Sequence, residues 1–224
     1  MKNFRSIAID GPAGAGKSDV SSSLAKKLNF IHVDTGALYR ALAFYFLDNK
    51  INCENIPSEL KNINIKLGFI DENQVVLLNN IDVTRNLRNS EVSNFASKIS
   101  SLNAVRNFLL NTQRSIAKNN NVIMDGRDIG TIVLPNADVK IFLTASVEER
   151  AKRRFEQYKS KQINCKYDDI LISIKQRDNN DINRDIAPLR PAEDCMIYDS
   201  TNKSFDEVVT YLFEYIRGKI GFHL

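Results

Sequence analysis

The chain has 224 residues, a length that fits one globular domain with a small insertion. Its hydrophobic content of 43% suffices for a sizeable core, and its formal net charge of +4 suits anionic ligands but is too small to predict nucleic-acid binding. Three widely spaced cysteines and only two histidines disfavour disulfides and a zinc site. The sequence shows no signal-peptide pattern and no apolar run near the roughly 18 residues of a membrane span, which disfavours membrane partners. Together these features predict a cytoplasmic protein.

The first predicted unit is a strand, a glycine-rich loop and a helix. Ser6–Asp10 is a short apolar run that predicts a buried strand, and Lys17–Leu28 has apolar residues at helical spacing. The segment between them fits the phosphate-binding pattern Gly-x-x-x-x-Gly-Lys-Ser/Thr, in which the lysine reaches the β- and γ-phosphates and the hydroxyl holds Mg²⁺. We therefore predict an ATP site at Gly11, Pro12, Ala13, Gly14, Ala15, Gly16, Lys17, Ser18 and Asp19, the last of which brings negative charge close to the nucleotide.

Strand and helix patterns then alternate, which predicts an α/β fold with a parallel sheet. The further predicted strands are Phe30–Val33, Val122–Asp125, Val139–Leu143 and Met196–Tyr198. The further predicted helices are Gly36–Leu47, Val92–Lys118, Val147–Tyr158, Ile170–Asp178 and Phe205–Ile220. The stretch 51–89 breaks this rhythm with two short strand patterns around a turn at residues 71–73, so it predicts a small antiparallel insertion that either grips a second substrate or decorates the surface.

Two polar clusters follow predicted strands, at the edge of a parallel sheet where ligands bind. Asp34 and Thr35 follow the second strand, and Arg40 faces the same cleft if Thr35 caps the next helix. The run Asp125-Gly-Arg-Asp128 follows the third strand, where an acidic residue is the usual partner of Mg²⁺ or its waters. Each cluster alone could equally be an ordinary helix start or a salt-bridged turn.

Two sets of charged residues lie on predicted helices. Arg150 and Arg154 are four residues apart on one helix face, so their like charges repel each other, which is tolerable where that face is solvated. The same spacing becomes favourable when a triphosphate lies between the two guanidinium groups. Arg177, Asp181 and Arg184 share one face if their helix continues. Asp181 either neutralises its neighbours or accepts a hydrogen bond from the amine of a base.

Together these motifs resemble bacterial cytidylate kinases. The matching segments, in family order, are Ile9–Lys17, Val33–Arg40, Asp125–Thr131, Lys140–Arg154, Arg177–Leu189 and Asp199–Thr201. The resemblance implies a nucleoside monophosphate kinase fold in a single domain, 1–224, with a five-stranded parallel sheet flanked by helices. It also implies a monophosphate-binding β insertion at 51–89, a mobile helical lid at about 147–185, and Mg²⁺-assisted transfer of the γ-phosphoryl group of ATP to CMP or dCMP.

The resemblance further implies roles for individual residues. The expected catalytic residues are Lys17, Arg127, Arg150 and Arg154, and the expected metal ligand is Ser18. The expected CMP site comprises Thr35, Arg40, Ser97, Arg106, Asp125, Gly126, Arg127, Asp181 and Arg184. The lid is expected to carry Arg150, Arg153, Arg154 and Arg177. Asp19 departs from the family, in which a threonine is expected, and leaves Ser18 as the only hydroxyl in the usual metal position.

Two other functions fit a phosphate-binding loop. A kinase of a metabolite hydroxyl, such as shikimate, would need a carboxylate base, for which Asp34 or Asp125 could serve. A nucleotide-binding regulatory or nucleic-acid-binding protein would show a basic stripe with exposed aromatic residues, which this sequence lacks. The expected partners are therefore CMP, dCMP and ATP, without nucleic acid or membrane, and a monomer is expected.

Overall fold

The computed structural model describes residues 4–70, 73–87 and 89–221. The strands are β1 (Ser6–Asp10), β2 (Ile31–Asp34), β3 (Ile65–Ile70), β4 (Asn73–Leu78), β5 (Ile81–Asp82), β6 (Val122–Gly126), β7 (Val139–Thr144) and β8 (Met196–Asp199). The helices are α1 (Lys17–Leu28), α2 (Thr35–Asp48), α3 (Ile56–Glu59), α4 (Ser90–Ile99), α5 (Asn103–Asn119), α6 (Val147–Ser160), α7 (Tyr167–Asn183) and α8 (Phe205–Ile220). A π-helical turn, Ile129–Val133, follows β6.

Five strands form a parallel sheet in the order β2-β6-β1-β7-β8, which confirms the predicted α/β architecture. The central strands β1 and β6 are short apolar runs because helices cover both faces of the sheet. The register pairs Asp34 with Asp125 and Asp10 with Gly126, so the carboxyl ends of β2, β6 and β1 meet at one edge. This edge carries the polar clusters noted in the sequence.

Helices α1 and α8 cover one face of the sheet. Leu24 of α1 and Leu212 of α8 are fully buried with Ile9 and Ile141 of the strands. On the other face Val33 and Met124 pack with side chains of α5 such as Leu110. Each fully buried aliphatic side chain of this kind stabilises the fold by about 1.5–3 kcal/mol, and together they hold the site-bearing edge in place.

The insertion folds as predicted, as a small antiparallel sheet formed by β3, β4 and β5. The predicted turn residues Asp71 and Glu72 lie outside the described residues. Gln74 attaches this sheet to the core, because its side-chain amide accepts from the backbone N–H of Asp34 at 2.8 Å and donates to the Asp34 carbonyl at 3.1 Å. The insertion is therefore tied to the end of β2, directly before α2.

The single helix predicted over Val92–Lys118 is wrong, because the chain forms α4 and α5 with a break between them. The hydroxyls of Ser100 and Ser101 donate to the carbonyls of Ser97 and Lys98, and such local bonds compete with continued helix. Leu102 then has extended backbone. The break brings the carbonyl of Ser100 to the cleft, where it accepts a hydrogen bond from an arginine of α5 described below.

The predicted lid region forms two helices, α6 and α7, with a small apolar cluster of their own around Ala151, Ile170 and Ile174. Helix α7 runs further than predicted at both ends, so Arg177 and Asp181 share one helix as the spacing required, and Arg184 follows its last residue. No helix among the described residues is both long and apolar enough to cross a membrane.

Candidate active site

The glycine-rich loop joins β1 to α1 at the polar edge of the sheet. Gly11 has φ of +152°, and a Cβ there would lie 2.0 Å from the carbonyl oxygen of Leu143, so only glycine fits. Lys17 is buried, and its Nζ donates to the carbonyl of Pro12 at 2.7 Å. Burial lowers the pKa of Lys17 well below its usual range, and the charge of Arg127 lowers it further. An adjacent phosphate would favour the charged form of this lysine.

Two residues of the lid helices hold the loop from outside. Nη1 of Arg150 donates to the carbonyl of Ala13 at 2.9 Å, and Asp178 accepts from the N–H of Ala13 at 3.3 Å. Arg150 and Asp178 also form an ion pair at 2.6 Å. In this structure Arg150 supports the loop backbone and Arg154 lines both cavities, and the expected triphosphate between these two side chains stays a prediction.

A hydrogen-bonded group at the start of α1 offers an oxygen ligand for a metal ion. Ser18 Oγ donates to Asp125 Oδ2 at 2.8 Å, and His32 Nε2 lies 2.6 Å from Asp125 Oδ1. Because the Ser18 proton is engaged by Asp125, the lone pairs of the hydroxyl remain for a cation, as Mg²⁺ requires. No cluster of three His, Cys, Asp or Glu side chains that could hold a metal exists among the described residues, so Mg²⁺ would also rely on phosphate oxygens and water.

The sequence analysis assigned no role to His32. Burial lowers the pKa of His32, but the hydrogen bond and charge of Asp125 outweigh it, and the net pKa is raised. One feature of the sequence could have pointed to a role for His32: it lies two residues before Asp34, and alternate residues of a strand point to the same face. That signal becomes specific only with the register of β2 and β6, which joins residues far apart in the chain.

A cavity of about 730 Å³ opens beside the loop. All nine residues expected at the CMP site line it: Thr35, Arg40, Ser97, Arg106, Asp125, Gly126, Arg127, Asp181 and Arg184. Lys17, Arg154 and Arg177 line it as well. The sequence motifs thus converge on one space, although they span 150 residues of the chain.

One side of this cavity is built by the ends of β2 and β6. Asp34, rather than Thr35, caps α2 by accepting from the N–H of Ala37, and it also pairs with Arg40 at 2.6 Å. Thr35 instead donates its hydroxyl proton to the backbone carbonyl of Asp125 at 2.8 Å. The threonine therefore joins the two strand ends, and the aspartate directs the arginine.

Asp128 organises a second side of the cavity, a role that sequence reasoning missed. It forms a buried ion pair with Arg106 and lies 3.7 Å from Arg184 Nη2. Arg106 also donates to the carbonyl of Ser100 at 3.3 Å, at the break between α4 and α5. The turn that carries Asp128 is held by Asp10, whose carboxylate accepts from two backbone N–H groups of the π-helical turn.

Asp10 itself is buried at the end of β1. Burial raises the pKa of its carboxyl to about 6 from 3.8, although the N–H groups of Gly130 and Ile129 act in the opposite direction. The negative charge of Asp128 raises this pKa and the positive charge of Lys17 lowers it. The carboxyl is thus a buried acidic group that supports the site without lining the cavity.

Positive charge dominates the cavity. Eight lysine or arginine side chains line it against five aspartates, counted over the part of the chain that the structure describes. Burial, and then the charge of Arg127, lower the pKa of Arg177 to about 10. Within the described ranges, Arg40 Nε, Arg177 Nε and Arg184 Nη2 are buried without a hydrogen-bond acceptor. Buried donors without acceptors are costly, so this arrangement is suited to a polyanionic ligand.

A second cavity, of about 410 Å³, borders the loop and the start of α8. Its walls include loop residues together with Arg153, Arg154, Lys203 and Phe205. Arg153 is fixed there by Glu149 at 3.0 Å and by the carbonyl of Ser200 at 2.6 Å. Sequence reasoning missed this cavity, although it lies where the carboxyl end of β8 was predicted. The two cavities share Gly14, Gly16, Asp19, Arg154 and Gln157 and so meet at the loop.

The chain is similar to known proteins in sequence and in fold. Residues 7–218 match the family model described as cytidylate kinase. A cytidylate kinase of Caldicellulosiruptor saccharolyticus is 50% identical over 96% of both chains, and one of Carboxydothermus hydrogenoformans is 48% identical over 95% of this chain and 97% of its own. Among solved structures, an uncharacterized protein from Eubacterium ventriosum covers 97% of this chain and 99% of its own with a TM-score of 0.57 and 15% identity, a likeness of fold alone.

Proposed function

The chain belongs to the cytidylate kinase family, and we propose that its two cavities separate the two nucleotides, with ATP on the side of Lys203 and the acceptor on the side of Arg184. The enzyme transfers the γ-phosphoryl group of ATP to CMP or dCMP and forms ADP with CDP or dCDP. This assignment of one nucleotide to each cavity rests on the observation that both cavities meet at the loop. The phosphate chains of two bound nucleotides would therefore approach end to end.

The ATP half of the proposal rests on the loop and on the smaller cavity. Loop amides and the start of α1 attract phosphates, and Lys17 lies beneath them. The base would enter the cavity beside Phe205, which is 48% exposed there and offers an aromatic face. Arg154 lies on both cavities, which suits a residue that contacts the group in transfer.

The acceptor half rests on the buried arginines and on Asp181. The guanidinium groups of Arg40, Arg177 and Arg184, each with a buried nitrogen that lacks a hydrogen-bond acceptor, would bind phosphate oxygens and the acceptor atoms of cytosine. One carboxylate oxygen of Asp181 accepts a hydrogen bond from Arg127 Nε at 2.9 Å, so we assign its second oxygen to the amine of cytosine. The hydroxyl of Ser97 lies on the same cavity and supplies a further polar contact.

No side chain needs to act as a general base in this reaction. A phosphate monoester has a second pKa near 6, so the attacking oxygen of CMP is already largely ionised at neutral pH and no general base is needed. The obstacle is repulsion between two polyanions, and Lys17, Arg127 and Arg154 offset it while orienting the phosphates. Mg²⁺, held through Ser18 with Asp125 behind it, would supply further positive charge to the phosphate oxygens.

The surrounding segments support binding on each side. We assign the insertion at 51–89 to the acceptor, because Gln74 holds the end of β2 and because Leu87 and Asn89 line the larger cavity. The lining continues beyond it into α4, at Ser93 and Ser97. We assign α6 and α7 to a lid at about 147–185 that excludes water, since they pack on an apolar cluster of their own.

The alternative functions are not favoured. A hydroxyl kinase would need a carboxylate base, but Asp34 is paired with Arg40, and Asp125 accepts from Ser18 and lies within hydrogen-bond distance of His32. A regulatory nucleotide-binding protein would not need a second cationic cavity. Since one chain supplies every residue of the proposed site, a monomer suffices for activity.

The proposal is tested by one substitution in each cavity. Arg184→Lys should raise the KM for CMP while leaving that for ATP nearly unchanged, because lysine cannot reproduce the planar guanidinium. Lys203→Met should do the reverse, and each variant serves as the control for the other. If both variants raise the KM of the same nucleotide, the division of substrates is wrong.

A further inference from the structure

His32 has no role in the reaction described above, yet it contacts Asp125, the carboxylate that accepts a hydrogen bond from the proposed metal ligand Ser18. Its Nε2 lies 2.6 Å from Asp125 Oδ1, and both side chains are almost enclosed, with exposed fractions of 16% and 4%. Because an ionised carboxylate only accepts hydrogen bonds, Nε2 carries the proton and donates it. The contact joins neighbouring parallel strands at the edge of the sheet.

The second oxygen of the same carboxylate accepts the Ser18 hydroxyl at 2.8 Å. The three side chains therefore form a chain in which His32 donates to Asp125 and Ser18 donates to Asp125. A carboxylate held at both oxygens cannot rotate about its terminal bond. The Ser18 proton then stays on the Asp125 side, and the lone pairs of the hydroxyl stay on the other side.

We propose that His32 is a positioning residue, which holds Asp125 so that the oxygen of Ser18 is presented to the metal ion of the bound nucleotide. This inference rests on the proposed function, since it assumes that Mg²⁺ and ATP bind at the loop. His32 lines neither cavity. Its effect passes through Asp125 to Ser18.

The surroundings of the ring favour this role over that of a core filler. The strand neighbours of His32 are Ile31 and Val33, and an aliphatic residue would fill the same space without burying a polar ring. The contact with Asp125 Oδ1 places a proton on Nε2, and an aliphatic side chain could not supply this donor. Loss of the hydrogen-bond partner that orients a metal ligand usually changes metal affinity by 10- to 100-fold. Here that partner is Asp125, and loss of His32 acts by releasing it.

The experiment measures the thermal stabilisation of the whole chain by a fixed ATP concentration while Mg²⁺ is increased. His32→Leu removes the donor, and His32→Gln keeps an N–H at the position of Nε2. We expect the Mg²⁺ concentration for half-maximal stabilisation to rise about 10-fold or more in His32→Leu and to return near the wild-type value in His32→Gln. The KM for CMP should stay within about twofold. Gln74→Ala, which breaks a contact to the same strand, should leave the Mg²⁺ requirement unchanged.

An unchanged Mg²⁺ requirement in His32→Leu, with or without a lower Tm, overturns the inference and makes His32 a structural residue. If His32→Leu does not fold, His32→Asn replaces it, because its amide stops one atom short of Asp125. A raised requirement in His32→Asn but not in His32→Gln supports the role, and equal values contradict it. If Mg²⁺ and ATP fail to stabilise even the wild-type chain, the proposed function fails instead.

Discussion

We predict that the choice of base depends on which hydrogen-bonding group the residue at position 181 presents. Asp181 is buried, with 4% of its surface exposed, and Arg127 occupies one of its carboxylate oxygens. The other oxygen suits the N4 amine of cytosine, whereas uracil has a carbonyl at that position. In Asp181→Asn the amide oxygen can stay on Arg127, which turns the amide N–H₂ toward the base. A donor then faces the cytosine amine but matches the uracil carbonyl.

The size of the effect follows from this single contact. Leaving one buried polar group without its hydrogen-bond partner costs about 1–3 kcal/mol, which is roughly 5- to 150-fold in kcat/KM. We expect the ratio of kcat/KM for CMP over UMP to fall by that factor in Asp181→Asn, with the KM for ATP nearly unchanged. The assay is ADP release coupled to NADH oxidation, with each monophosphate varied at saturating ATP.

Asp178→Asn provides the matched control. Asp178 lies one turn earlier on α7 and is also ion-paired, but it contacts Arg150 and Ala13 and does not line the acceptor cavity. Its substitution should leave the preference for CMP unchanged, whatever it does to ATP binding. If Asp181→Asn keeps the full preference for CMP, then Asp181 only neutralises Arg127 and another residue reads the base.

Three further results are expected. Lys17→Ala should fold but lose phosphoryl transfer, as followed by circular dichroism and ADP release, and a folded variant with near-normal turnover would contradict the role of the loop. Gln74→Ala should raise the KM for CMP more than that for ATP, because the insertion loses its hold on Asp34; equal changes would favour a decorative insertion. Asp10, with its pKa raised from 3.8 to about 6, binds its proton more tightly in the folded chain, so it contributes stability below pH 4 that is lost as the pH rises through 6. Urea titrations should therefore show wild type losing about 2 kcal/mol relative to Asp10→Asn between pH 4 and 7, and a constant or opposite difference would refute this.

Local patterns predicted the first elements well because each is decided by neighbouring residues. The bounds of β1 and α1 agree with the apolar runs that predicted them. The long helix over 92–118 failed because the serine hydroxyls at 100 and 101 compete for backbone carbonyls, an effect that apolar spacing does not register.

The site was predictable as a set of residues but not as an arrangement. All nine residues expected at the CMP site line one cavity. Ser97 and Arg106 were expected only from the family resemblance, whereas the others follow a strand or share a predicted helix face. Their partners come from strand register and helix packing, which the sequence does not encode locally. The contact of His32 with Asp125 spans 93 residues, and that of Arg150 with Ala13 spans 137. For this reason neither the contact of His32 with Asp125 nor the hold of Arg150 on the loop could be predicted from the motifs.

The most direct test of the account is a screen of acceptors with ATP and Mg²⁺, in which ADP release is measured for CMP, dCMP, UMP, AMP, GMP, shikimate and no acceptor. The account predicts rapid release with CMP and dCMP, a weaker response to UMP, and little release with the purine monophosphates, with shikimate or without acceptor. Equal release with and without CMP, or a preference for shikimate, would contradict phosphoryl transfer to a cytidine monophosphate.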